Sequence, residues 1–292
     1  MVSSIILIGL ILFGLVLGSF SGATVWRLRA RQLVVDKKNG DPFDHAEYKK
    51  LKKLTGEKIS KDRSRCLHCG YGLRWFDLIP LVSWLILRGK CRSCHASIGR
   101  MEPLIELGTA LFFALSFLLW PVALDGGVQI AQFVLWLVAG VGLATMFVYD
   151  SKWYLLPDKI NFAVIGIGFI SAVLVVLESS DQLAAAVSVL GSVAILSGIY
   201  LVLYLVSKGR WIGLGDIKLG LGLGLLLADW QLAFLALFAA NFIGSLVVIP
   251  LMTSGKLKRN AHVPFGPFLI IGAVIAKLVG LGIVEFYTLS LL

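Results

Sequence analysis

Residues 128–149 read VQIAQFVLWLVAGVGLATMFVY, and Asp150 follows at once. These 22 residues carry no charged side chain. At about 1.5 Å of rise each, they reach across about 30 Å of hydrocarbon as one helix. The stretch therefore reads as a membrane span that ends on a carboxylate. Runs of the same kind lie at Ser4–Trp26, Leu104–Leu124, Ile160–Leu177, Leu183–Val206, Gln231–Met252 and Phe265–Tyr287, with a shorter, glycine-rich one at Leu219–Ala228. The pattern predicts an all-α polytopic membrane protein with about eight transmembrane helices. Residues 1–26 form the first span, residues 27–103 a basic polar insertion and residues 104–292 a seven-helix membrane domain. The sixth run is expected either to tilt or to be a half-helix packed inside the bundle.

Composition agrees. The 292 residues are 58% hydrophobic and 15% charged, where a soluble domain averages about 45–50% and about 25%. The first run begins directly after Met1 with no basic segment before it, and it is long for a signal peptide, so it reads as a retained helix. No internal repeat or low-complexity stretch is evident.

The location of the charge says more than the net value of +10. Of 27 Lys and Arg, 18 lie between Arg27 and Arg100, with seven acids among them. Eight helices threaded from an outside N-terminus place segments 27–103, 150–159, 207–218 and 253–264 inside, and these hold 26 of the 27. The outside segments carry Asp125, Glu178, Asp181 and Asp229 instead. Cationic loops stay on the cytoplasmic side, so the N-terminus is expected outside and the insertion in the cytoplasm. The leftover cation, Lys277, sits within the last span and is expected to snorkel or to pair inside the bundle. No aromatic pattern interleaves the basic run, which argues against nucleic acid. Residues 33–62 are polar, with Lys49, Lys50, Lys52 and Lys53 in a short helix-compatible run. They read as a solvated linker or as an amphipathic piece on anionic headgroups.

All four cysteines fall in the insertion, as Cys66-Leu67-His68-Cys69 and Cys91-Arg92-Ser93-Cys94, 21 residues apart. Two such pairs are close to zinc-ribbon spacing, in which each pair turns two thiolates towards one ion and four close a tetrahedral shell. A structural zinc on Cys66, Cys69, Cys91 and Cys94 is the first reading. Two disulfides, redox pairs and unliganded thiols are the alternatives, the disulfides being disfavoured in a reducing compartment. His68 and His95 lie beside the pairs as possible substitute ligands.

Two acidic places stand apart from the rest. One is Tyr149-Asp150 with Leu155-Leu156-Pro157-Asp158, and the other is Gly213-Leu214-Gly215-Asp216-Ile217-Lys218. The threading puts both at the inner membrane edge, where carboxylates are costly and tend to be functional. Gly213 and Gly215 permit a tight turn or close helix approach beside Asp216. Two carboxylates held together share one proton, which suits hydrolysis of a peptide bond by water. The residues alone leave open that each aspartate caps a helix or binds Lys152 or Lys218.

Several ordered stretches then resemble one family over most of the chain. They are Gly18-Ser19-Phe20 with Trp26-Arg27-Leu28; Arg63-Ser64-Arg65-Cys66-Leu67-His68-Cys69; Ile79-Pro80-Leu81-Val82-Ser83-Trp84; and Arg88-Gly89-Lys90-Cys91-Arg92-Ser93-Cys94. Glu102-Pro103-Leu104-Ile105-Glu106, the two aspartate stretches and Val263-Pro264-Phe265-Gly266-Pro267-Phe268 complete the set. Together they resemble the type IV prepilin peptidases, which also serve type II secretion pseudopilins. The resemblance implies an aspartyl endopeptidase of the bacterial inner membrane that removes a short basic leader at the cytoplasmic face. It places the catalytic pair on Asp150 and Asp216, with Asp158 as the rival for the first position and Asp158, Gly213, Gly215 and Lys218 in support. It also implies N-methylation of the new N-terminus with S-adenosylmethionine. Two positions depart from the family pattern: Leu67 stands where proline often follows the first cysteine, and Gly22-Ala23 where an asparagine is common. Two other classes compete on the residues alone. One is a transporter that uses Asp150, Asp216 and Lys277 as an ion or proton relay, and the other a scaffold that presents the zinc knuckle to a secretion or pilus ATPase.

Overall fold

The fold is described from a computed structural model, for residues 2–55, 63–257 and 262–290. In chain order it comprises α1 (Val2–Asn39), α2 (His45–Leu51) with a 3-10 turn (Lys52–Leu54), a second 3-10 turn (Trp75–Leu78), α3 (Val82–Ile86), α4 (Met101–Leu118), α5 (Gly127–Trp153) and α6 (Asp158–Glu178). Then follow α7 (Gln182–Val193), a π-helical turn (Ala194–Gly198), α8 (Ile199–Ser207), α9 (Leu214–Leu227), α10 (Trp230–Thr253) and α11 (Gly266–Ser290). Among the described residues seven helices are long and apolar enough to cross a membrane, with α7, the π turn and α8 counting as one. The eighth expected span is α9. Its 14 residues rise about 21 Å, short of the about 30 Å of a full crossing.

The chain forms two compact units, residues 1–114 and 115–292, and the division falls inside α4. In the first unit α1 and α4 meet through glycine. Cβ atoms added at Gly14 and Gly18 would lie 2.8 Å from the Ala110 Cα and 2.6 Å from the Glu106 Cα. The matched spacing of four on both helices is the small-residue packing of membrane helices. The insertion departs from a simple loop. α1 runs unbroken past Arg27 to Asn39, and α2 is capped by the Asp44 carboxylate, which accepts the Ala46 and Glu47 N–H groups. α2 then folds back on α1, burying Leu51 and Leu54 against Ala30 and Leu33, and Arg29 pairs with Glu47 at 2.7 Å. Lys49, Lys50, Lys52 and Lys53 stay exposed on the other side. The linker-or-amphipathic reading of residues 33–62 thus resolves, up to Thr55, into a packed helical hairpin; residues 56–62 lie outside the described residues.

In the second unit α9 lies at the centre, packed by α6, the α7–α8 span and α11. Leu219, Leu223, Leu226 and Leu227 are buried along it, so α9 needs no lipid-matched length. Its glycines bring neighbouring backbones close: Gly224 faces the Val193 backbone, Gly222 faces Val164, and Gly220 faces the Leu196 carbonyl. Where α9 comes nearest, the neighbouring helix widens into its π turn, and serine hydroxyls bridge the seam. Ser192 donates to the Gly224 carbonyl at 2.8 Å and Ser197 to the Ile217 carbonyl at 3.0 Å. At the far end of α9, Lys277 Nζ donates to the Leu226 carbonyl at 3.3 Å and lies 5.5 Å from the Trp120 ring centroid. The cation left over by the charge pattern therefore satisfies a helix C-terminus inside the bundle.

The seam sets a measurable limit. A Cβ at Gly220 would overlap the Leu196 carbonyl, whereas one at Gly166 meets nothing within 4 Å. Gly220→Ala is expected to lower stability by about 1–3 kcal/mol, the usual cost of overpacking. Gly166→Ala is expected to be neutral or mildly stabilising. Thermal melting of the detergent-solubilised protein distinguishes the two.

Candidate active site

Asp150 occupies the last turn of α5. That helix stops at Tyr154, whose φ of 56° turns the chain left-handed while its N–H caps the Asp150 carbonyl at 2.9 Å. The Asp150 side chain points inward, with the residue 5% exposed. Its Oδ2 accepts the backbone N–H of Gly266, the first residue of α11, at 3.1 Å. A Cβ at Gly266 would stand 2.7 Å from that oxygen, so only glycine lets the carboxylate approach this helix start so closely.

Asp216 reaches the same place from the first turn of α9. Its carboxylate lies beside Gly213, with Oδ2 3.6 Å from where a Cβ on that residue would stand. Between the two helix starts sits Leu156, the leucine that precedes Pro157-Asp158. A Cβ at Gly215 would lie 3.0 Å from Leu156 Cβ, and one at Gly266 3.5 Å from Leu156 Cδ2. Asn161, wholly buried on α6, holds the turn from the other side by donating its Nδ2 to the Gly215 carbonyl at 3.3 Å. The structure thus brings Asp150 and Asp216 within electrostatic reach of each other, although 66 residues separate them. Each stands at a glycine-marked helix start, Asp150 at that of α11 and Asp216 at that of α9. Tyr200 borders the same place, with its ring 5.5 Å from the Phe265 ring centroid and its hydroxyl in electrostatic reach of Asp216.

Asp158 is placed differently. Its side chain is 59% exposed and pairs with Lys218 Nζ at 2.6 Å, tying the start of α6 to α9. Lys218 also lies over the Phe162 ring. The capping alternative is realised at Asp150, which accepts the N–H at the start of α11. Lys218, however, binds Asp158 rather than Asp150 or Asp216. Gly266, Asn161 and Tyr200 had no role assigned from the sequence. The Pro-Phe-Gly-Pro-Phe stretch held Gly266 in plain view, and Asn161 was signalled only as a polar residue three positions beyond Asp158 in an apolar run.

The four cysteines of the first unit converge. All four Sγ atoms lie within 4.8 Å of one another, with Cys66–Cys94 at 3.8 Å and Cys69–Cys91 at 4.0 Å. All four are free thiols. The two pairs fold alike: the N–H groups of Gly70 and His95 close a turn on the carbonyls of Cys66 and Cys91, and both residues have positive φ. His95 is thereby a backbone turn residue, and the four sulfurs form the cluster without histidine. Arg92 Nε meets the buried Asp77 at 2.8 Å and braces the second pair against the 3-10 turn Trp75–Leu78. Zinc–sulfur bonds of about 2.3 Å in a tetrahedron need sulfurs about 3.8 Å apart, so the donor set fits such an ion. Electrostatics agree. Burial opposes ionisation of Cys91, but the N–H groups of Cys94 and Ser93 and the neighbouring thiols bring it down to about 7. At Cys94 the Ala96 N–H favours the thiolate, yet burial and the other three cysteines push it up to about 11. Crowded thiolates of this kind are relieved by a cation.

Two family models cover most of the chain. The bacterial peptidase A24 N-terminal domain matches residues 12–120, and the type IV leader peptidase family matches residues 137–249, which include Asp150 and Asp216. The "type 4 prepilin-like proteins leader peptide-processing enzyme" of Escherichia coli O78:H11 is 32% identical over 266 residues, 89% of each chain. The chain belongs to the type IV leader peptidase family. Further members are the "prepilin leader peptidase/N-methyltransferase" of Stutzerimonas stutzeri, 31% identical over 74% of this chain and 72% of that one, and its namesake in Pseudomonas aeruginosa, 29% identical over 95% and 91%. No solved structure matches the chain. Family membership makes this a multi-pass inner-membrane peptidase, as the sequence resemblance implied, and neither comparison favours transport.

The cysteine cluster yields a direct test. Purified protein is expected to hold stoichiometric zinc, and Cys66→Ser or Cys94→Ser to lose it, as read by elemental analysis. Because protons compete with the metal for thiolates, zinc is retained at neutral pH and released as the pH falls. Zinc-free wild-type protein would remove the metal assignment.

Proposed function

We propose that the chain cleaves the leader peptides of type IV prepilins or type II secretion pseudopilins at the cytoplasmic face, with Asp150 and Asp216 as the catalytic pair. The observation that carries this reading is the convergence of two distant aspartates, Asp150 buried and Asp216 half-buried, at two glycine-marked helix starts within electrostatic reach of each other. The names of the relatives supply the substrate class. The charge pattern supports the orientation: 26 of 27 Lys and Arg fall in the segments assigned to the cytoplasm, together with both aspartates, while the N-terminus lies outside.

The chemistry follows from two acids that share one proton. The ionised carboxylate takes a proton from water as the water oxygen adds to the scissile carbonyl carbon. The protonated partner gives its proton to the carbonyl oxygen, and the π electrons move onto that oxygen. Collapse of the tetrahedral species breaks the C–N bond. The leaving amine takes a proton from the acid that first received one, while the other carboxylate recovers a proton from a hydroxyl of the tetrahedral carbon as its C=O re-forms, which returns the pair to a single shared proton. The Gly266 N–H holds the Asp150 carboxylate in place throughout, and the first turn of α9 beside Gly213 positions that of Asp216.

The reading extends to N-methylation of the freed amino terminus, the second activity in the relatives' names. S-adenosylmethionine supplies the methyl group from a cationic sulfonium. The first unit has a donor set that fits a cation: Glu102 accepts from the Trp26 indole at 3.0 Å through Oε1, and its buried Oε2 has no partner among the described residues. Glu106, one turn on, is buried and accepts the Leu81 N–H at 2.8 Å. In the same unit the zinc on Cys66, Cys69, Cys91 and Cys94 is structural, because four thiolates leave it no open position.

Incubating solubilised protein with a prepilin-like substrate tests the peptidase reading. Asp150→Asn and Asp216→Asn are each expected to abolish cleavage while membrane insertion persists. Asp158→Asn, which removes only an exposed ion pair, is expected to retain it. Cleavage by either of the first two variants removes that residue from the mechanism.

A further inference from the structure

Tyr200 is a polar group that the two-carboxylate mechanism leaves unused. The residue is 5% exposed, and its hydroxyl has no hydrogen-bond partner among the described residues. Leaving a buried donor unpaired costs about 1–3 kcal/mol, so a fold that retains one normally has an acceptor for it in another state. The surroundings identify which state. The ring packs on Phe265, whose neighbour Gly266 donates to Asp150, and the charged group in reach of the hydroxyl is Asp216. The phenol is therefore in electrostatic reach of Asp216, and its ring packs beside the helix start that binds Asp150, with no hydrogen bond to either carboxylate among the described residues.

Its placement depends on the π turn. Tyr200 is the second residue after Ala194–Gly198, and one extra residue turns all that follows by about 100° relative to an unbroken α-helix. The turn is held where Gly220 abuts the Leu196 carbonyl and Ser197 bonds the Ile217 carbonyl. The irregularity that lets α9 in thus also sets the direction of Tyr200.

We propose that Tyr200 is a further catalytic residue, whose hydroxyl donates a hydrogen bond to the carbonyl oxygen of the scissile peptide as that oxygen gains charge. The inference rests on the aspartate-pair reading. No proton leaves the phenol: the shared proton of the aspartates still moves as above, and the O–H donor stabilises the oxygen in a water-poor site. A donor of this kind acts on the transition state more than on the bound substrate.

Tyr200→Phe keeps the ring against Phe265 and removes only the donor. With the full-length protein and a prepilin-like peptide, kcat is expected to fall about 100-fold, the usual cost of one such donor, with KM within about twofold. A peptide with a hydrated difluoroketone at the cleavage position should lose affinity by a similar factor. The uncut peptide, bound to an Asp150→Asn/Asp216→Asn background, should bind equally with Tyr200 or Phe. This ratio of affinities is measured on folded protein, so it holds whatever the variant does to stability. A kcat loss below about tenfold, a loss carried by KM, or equal weakening of both peptides overturns the proposal. If Tyr200→Phe is active beside an inactive Asp216→Asn, only the tyrosine role falls. If Asp216→Asn is itself active, the aspartate reading falls and takes this one with it.

Discussion

A carboxylate carried into a bundle of apolar helices must find hydrogen-bond donors there, because water is scarce and an unpaired charge is prohibitively expensive. In this protein the donor is a backbone N–H at a helix start, where the first turn leaves it unused. Asp150 takes the N–H of Gly266, and Asp216 stands beside Gly213 at the start of α9. Side-chain donors would have added charge or bulk to the site, whereas backbone donors add neither. Much of the second unit follows from this requirement. α5 must end beside the start of α11, and α9 must start within reach of both.

That condition accounts for the central helix. A helix that begins at a buried site and is enclosed by its neighbours is sized by packing rather than by lipid, and α9 rises about 21 Å over its 14 residues. Its glycines remove the side chains that would hold α6 and the α7–α8 span at ordinary distance. Close approach exposes backbone carbonyls to each other, and Ser192 and Ser197 bridge the seam. At the opposite end Lys277 serves the last carbonyls. A buried lysine that looked from the sequence like part of an ion relay is thus a cap on the short helix.

The sequence made some of this legible and hid the rest for definite reasons. The long spans could be read because twenty apolar residues in a row have few other uses, and the cysteine cluster because its four ligands sit in two local motifs. The continuation of α1 to Asn39 was hidden, since Arg27 to Lys38 looks like loop once the apolar run ends. What keeps it helical is the packing of α2 on Leu33, a contact between segments that no local pattern shows. Asn161 and Tyr200 were hidden for another reason. In a helix that is apolar on all sides no amphipathic stripe marks the inner face, so one polar residue does not declare its direction. Tyr200 is harder still, because its phase follows the π turn and not the regular helical period.

The distribution of glycine ties these points together. A Cβ at Gly215 would press on Leu156 at 3.0 Å, one at Gly266 would meet the Asp150 carboxylate, and one at Gly220 would overlap a neighbouring backbone. Gly9, Gly108, Gly166 and Gly282 have open space around them. Glycine in a membrane helix is therefore not informative by itself; it becomes so where it stands next to an acid or faces a break in a neighbouring helix. Gly-x-Gly-Asp satisfies the first condition and the π turn opposite Gly220 satisfies the second, on the same helix and within two turns. The motif and the distortion are two consequences of one demand, that a carboxylate, a helix start and a neighbouring helix fit into a space that leaves little room for a side chain.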